Sequence, residues 1–137
     1  MNVENHLYPT QERVMALMGD ASDAPIVMLN LLKFRDKAAY ADGRATTLTG
    51  REAYQIYGTA MQKVVENNGG KFLFGGQIAG LVIGEVGELW DLYALVEYPS
   101  AAAFARIATS PAVAEIGVHR AAGLAGQLLI RVAPRPF

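Results

Sequence analysis

No cysteine occurs in the chain. That excludes disulfides, thiolate metal sites and thiol catalysis, and it fits a reducing compartment. Charge of one sign is missing too. The 12 basic residues meet 13 acidic ones, for a net charge of -1, so there is no general electrostatic case for nucleic acid. No apolar run approaches the ~20 residues that span a membrane. The polar start, Met1 to Thr10 with Glu4, lacks the charged-then-apolar layout of a signal peptide. A soluble, cytoplasmic protein with neither membrane nor nucleic-acid partners is expected. Catalytic signatures are also absent. Gly75-Gly76-Gln77-Ile78-Ala79-Gly80 is neither a dinucleotide fingerprint nor a P-loop. There is no Gly-x-Ser-x-Gly elbow. The histidines, His6 and His119, do not make a metal site. No cofactor and no metal are expected.

What is present is apolar. Hydrophobic residues make up 52% of 137, ample for the core of one domain. Pro25-Ile26-Val27-Met28-Leu29-Asn30-Leu31-Leu32-Lys33-Phe34 reads as a strand covered on both faces. One amide, Asn30, sits in its middle. A buried amide without partners costs about 1–3 kcal/mol, so Asn30 is held by a hydrogen bond or faces a polar cavity.

The remaining elements follow from caps and breakers. Thr10 can cap a short helix ending near Gly19, and Asp20 to Ala24 is a linker. Residues 1–24 form an N-terminal extension ahead of a main domain, 25–137. Arg35 to Leu48 is a polar loop, long enough to be a lid or binding loop. Thr49-Gly50-Arg51-Glu52 is a capping box, and Gly69-Gly70 ends the helix that it opens. Lys71 to Gly84 is strand-like, with glycines that mark a bulge or bend. Asp91 to Tyr98 is the next strand. Ser100 caps a short alanine-rich helix, and Ser110-Pro111 opens another that Gly126 ends. Gln127 to Val132 is the last strand, with Pro134 and Pro136 keeping the tail irregular. From residue 25 the order is β-α-β-β-α-β, the ferredoxin-like split βαβ arrangement with an antiparallel sheet, an α+β fold.

Several polar residues stand where apolar ones belong. Arg120 falls in the middle of the helix face defined by Val113, Ile116, Gly117 and Leu124. Either its stem covers core while the guanidinium reaches water, or it points into a cavity to hold a carboxylate or enolate. Glu97, near the end of an apolar strand on the face of Tyr93 and Leu95, is a candidate partner for Arg120 and the best candidate general base. Tyr54 and Tyr57 lie on an apolar helix face, as core aromatics or as cavity wall. Lys33, Arg35, Lys37, Arg44 and Arg51 gather around the long loop with Asp36, Asp42 and Glu52. That cluster is a solvated loop or an anion-attracting lid in which Arg35 contacts the ligand.

Met28-Leu29-Asn30-Leu31-Leu32-Lys33-Phe34, Ala53-Tyr54 and Tyr57, Gly69-Gly70-Lys71, Glu97-Tyr98-Pro99-Ser100, Ser110-Pro111 and Arg120 together resemble domain-of-unknown-function family 1330, DUF1330, from about Pro25 to Val132. The resemblance implies a ferredoxin-like domain of the dimeric α/β-barrel superfamily, in which two sheets pack face to face. It would explain why both faces of the first strand are apolar. The wider superfamily includes cofactor-free oxygenases, haem-degrading monooxygenases, lactone isomerases and non-catalytic ligand binders. The family often has an aromatic three residues after the serine at Ser110, where this chain has Val113. The haem-degrading pattern is matched by Asn30, but Ile107 and Gly117 stand where it has tryptophan and histidine.

The expectation is a homodimer with a pocket between sheet and helices. In one reading it is a cofactor-independent oxygenase or isomerase of a small acidic or aromatic compound. Asn30 and Arg120 would then stabilise the oxyanion, Glu97 would move the proton, and Tyr54, Tyr57 and Arg35 would meet the ligand. In the other reading the same dimer binds a ligand, or serves as structure, without chemistry.

Overall fold

The computed structural model describes residues 1–135. Hydroxyl caps start the helices. Thr10 accepts from the Arg13 amide ahead of α1 (Gln11–Met18), Ser100 from Ala103 ahead of α3 (Ala101–Ala108), and Ser110 from Val113 ahead of α4 (Pro111–Gly123). The capping box forms as read: Thr49 Oγ1 accepts from Glu52 N at 3.1 Å, and Glu52 returns the bond to Thr49 N at 2.9 Å. It opens α2 (Gly50–Asn67), which Gly69 stops at φ 84°.

The strands are β1 (Ile26–Phe34), β2 (Lys71–Gln77), β3 (Leu92–Tyr98) and β4 (Leu124–Val132), in the order β2-β3-β1-β4 with every pairing antiparallel. This is the split βαβ order, with α2 and the α3–α4 pair as crossovers. The sheet is open at β2 and β4. Residues paired across an antiparallel ladder share a face. Ile26, Met28, Val96 and Tyr98 therefore point together into the core, where Met61, Val65, Ala101 and Ile107 meet them. The other face carries Leu29, Leu31, Tyr93, Leu95, Leu128 and Ile130. These are only half-buried or exposed, and no second layer covers them among the described residues.

The end of β2, the end of α4 and the start of β4 differ from the sequence reading. β2 ends at Gln77, and residues 78–91 are irregular. Its register shift falls between Phe72 and Phe74, just before the glycines. α4 ends at Gly123, not Gly126, and passes directly into β4. Leu124 is already extended, and at Gly123 the two helices cross closely: a Cβ there would collide with the Gly50 carbonyl and lie 2.8 Å from Tyr54 N. The loop 35–48 is strapped down. Ala39 N donates to Ala122 O at 3.0 Å, and the Tyr40 hydroxyl meets His119 Nδ1 at 2.6 Å. Pro134 is irregular as read; Pro136 lies outside the described residues.

The extension is part of the structure. Leu17 of α1 packs on the core, and His6 pairs with Gln127 through backbone bonds of 3.1 and 3.0 Å. Among the described residues no helix is long and apolar enough to cross a membrane.

Candidate functional site

β1 carries Asn30 to the centre of the sheet, between Ala94 of β3 and Leu129 of β4. Its Oδ1 accepts from Gln127 Nε2 at 2.8 Å. Its Nδ2 makes longer bonds to the carbonyls of Met28 and Ala94, 3.3 and 3.4 Å. Gln127 is buried, and its Oε1 accepts from Arg120 Nη2 at 2.7 Å. The same Nη2 donates to the Leu7 carbonyl. Asn30 and Arg120 are thus brought to one side of the sheet and joined through a residue the sequence reading did not single out.

Arg120 is half-buried, its guanidinium carbon lies 5.6 Å from the Tyr8 ring centroid, and its unbonded nitrogens are open to solvent. It makes no ion pair among the described residues. Nε and Nη1 have no hydrogen-bond acceptor there. Tyr54 and Tyr57 stack at 5.4 Å, with Phe34 5.5 Å from Tyr54. No described residue hydrogen-bonds either hydroxyl, and neither is sealed from solvent. Burial pushes both phenols above their ordinary range. For Tyr54 the neighbouring Tyr57 adds to the rise, and the Arg120 charge opposes it at both. The arginine therefore acts on the same space as the two hydroxyls.

Glu97 is not in that space. It pairs with Val27 across the ladder, on the face opposite Val96 and Tyr98, and its carboxylate lies 3.7 Å from Lys71 Nζ. A Glu97–Arg120 pair is ruled out by strand alternation, which turns neighbouring residues to opposite faces. Arg35 is also apart from the hydrogen-bonded chain. It is exposed, and its Nε donates to the Leu124 carbonyl at 3.1 Å.

Asp91 is a second polar residue that sequence reasoning missed. Its carboxylate accepts from Phe34 N at 2.8 Å and lies 3.4 Å from Lys33 Nζ, tying the end of β1 to the start of β3. Glu88 and Asp91 hold the Lys33 ammonium above its usual range. Two surface depressions lie elsewhere than Asn30. One runs along Gln55, Ile56, Thr59 and Lys63 of α2; the other is polar, around Lys33, Arg35, Asp36, Glu88 and Asp91. The Gln127 amide lies against Asn30, and neither depression is lined by Asn30, Tyr54, Tyr57 or Arg120.

The family model described as "Domain of unknown function (DUF1330)" matches residues 38–132. The chain belongs to this family. The DUF1330 match begins after β1, so it includes Tyr54, Tyr57, Arg120 and Gln127 but not Asn30. Among solved structures, RPA0582, a protein of unknown function from Rhodopseudomonas palustris, is 38% identical over 97% of this chain and 99% of its own, with a TM-score of 0.85. A methylated form of RPA0582 gives 40% identity over 96% of each chain and a TM-score of 0.86. A dimeric protein of unknown function with a ferredoxin-like fold, from Bacteroides fragilis NCTC 9343, is 14% identical over 80% of this chain and 95% of its own, with a TM-score of 0.46. Comparison with curated proteins gave no match. Because the RPA0582 alignment omits only a few residues of this chain, it takes in most of the N-terminal extension.

Proposed function

We propose that this protein binds a small carboxylic acid without transforming it, and that it does so as a homodimer. One observation carries the binding reading: among the described residues the half-buried Arg120 has no carboxylate partner, and its Nε and Nη1 and the Tyr54 and Tyr57 hydroxyls have no hydrogen-bond partner. Partial burial costs that charge some of its hydration. Carbonyl and amide oxygens on Nη2 offset part of that cost. A ligand carboxylate on the free edge would supply the missing opposite charge. Phenols are protonated at neutral pH, so Tyr54 and Tyr57 can donate to the same anion.

Binding is favoured over turnover because the oxygenase or isomerase reading needs a base beside the anchor. Glu97, the carboxylate assigned that task, faces the other side of the sheet. The dimer reading rests on the uncovered apolar sheet face, since large exposed apolar patches mark interfaces. Joining two such faces would form the α/β barrel, and light scattering at micromolar concentration should give twice the chain mass.

The binding test is a thermal shift with benzoate. Saturation near 100 times Kd adds about 2.7 kcal/mol of stability, so the parent should melt about 5–11 °C higher, and Arg120→Met should not respond. No shift in the parent, or an equal shift in the variant, would end the reading.

A further inference from the structure

The connection between β2 and β3 is far longer than a hairpin needs. It spans residues 78–91, where two residues suffice. Its base is closed by Ile78 N donating to Asp91 O at 2.9 Å. Its tip presents Leu81, Val82 and Ile83, which are 49%, 97% and 90% exposed. Gly80, Gly84 and Gly87 around them have open space on every side a Cβ would enter. A run of three aliphatic side chains held in water is unfavourable unless something covers it.

We propose that this arm packs on a second copy of the chain, extending the contact made by the outer sheet face. The proposal rests on the homodimer reading above and adds a specific surface to it. Area is the argument. Four strands about 4.8 Å apart and about seven residues long give the face roughly 450 Å² in plan. Two such faces in contact bury on the order of 900 Å², short of the ~1,200–2,000 Å² of stable interfaces. Three aliphatic side chains contribute roughly 60–120 Å² each, and twofold symmetry counts them twice, adding about 400–700 Å². With the arms, the interface reaches the stable class; without them it does not. The same pairing would cover the outer sheet face and the arm together.

The native chain has no cysteine, so Val82→Cys supplies a single reporter thiol. At micromolar concentration a maleimide should label it at least tenfold more slowly than in the urea-unfolded protein. The rate should climb as dilution dissociates the dimer. Labelling as fast as in the unfolded chain at every concentration would overturn the arm's role. Independently, the triple change Leu81→Ser, Val82→Ser and Ile83→Ser should raise the dimer dissociation constant at least tenfold by sedimentation. An unchanged constant would overturn the arm while leaving the dimer standing. A monomeric parent would overturn both. The labelling result does not depend on the triple variant folding.

Discussion

Asn30 and Gln127 are joined side chain to side chain at 2.8 Å across 97 positions of sequence, and the oxygen of the same glutamine amide accepts from Arg120. The amide in the middle of an apolar strand is thereby satisfied, and the arginine is fixed in direction. Removing the link should be costly. Gln127→Leu strands the Asn30 carbonyl oxygen and half-frees Arg120, so it should destabilise by about 1–3 kcal/mol in urea melts. Adding Asn30→Leu should then cost less than it does in the parent, with a coupling of about 0.5–3 kcal/mol. Additive losses would mean that the bond contributes nothing.

The fold was legible because its signals are local. The capping box, the Gly69 stop and the serine caps each act within a few residues of the element they bound. The site was legible only in part. Asn30 and Arg120 stand out as polar residues in apolar patterns, but Gln127 follows a glycine at a strand start and looks ordinary until the strands pair. Alternation did group Glu97 with Tyr93 and Leu95. Which face the helices would cover was hidden, because β1 is apolar on both sides. Gly126 resembled a helix stop, whereas the chain already turns extended at Leu124, and the close approach of Gly123 to Gly50 is invisible from local sequence.

That contact yields a second prediction. Gly123→Ala would drive a methyl into the Gly50 carbonyl and Tyr54 N. Overpacking of this kind costs about 1–3 kcal/mol and more where backbone must move. Gly117, in the same helix, has open space around it, so Gly117→Ala should stabilise by roughly 0.5–1 kcal/mol. Denaturant melts of the two variants should shift in opposite directions. Equal shifts would contradict the close crossing of α2 and α4.

The third prediction concerns alkaline pH. Burial raises the phenols of Tyr54, Tyr57 and Tyr98 above the ordinary 10.0, with the tyrosine neighbours adding at Tyr54 and Tyr98. A raised folded pKa favours the native state below the unfolded value, and that advantage is lost as pH climbs toward the folded one. Stability should therefore fall once pH passes about 10. Absorbance at 295 nm should show these three phenols titrating late, in step with unfolding. Simple titration of every tyrosine near the ordinary value, with the fold intact, would contradict their burial.

The central claim is that Arg120 anchors a small acid on the inner side of the sheet. Calorimetric titration of benzoate into the parent, Arg120→Met and Glu97→Gln tests it most directly. The account predicts saturable binding by the parent, a loss of at least tenfold in affinity for Arg120→Met, about 1.4 kcal/mol or more, and an unchanged affinity for Glu97→Gln. Absence of binding by the parent, or equal affinity in parent and Arg120→Met, would contradict it.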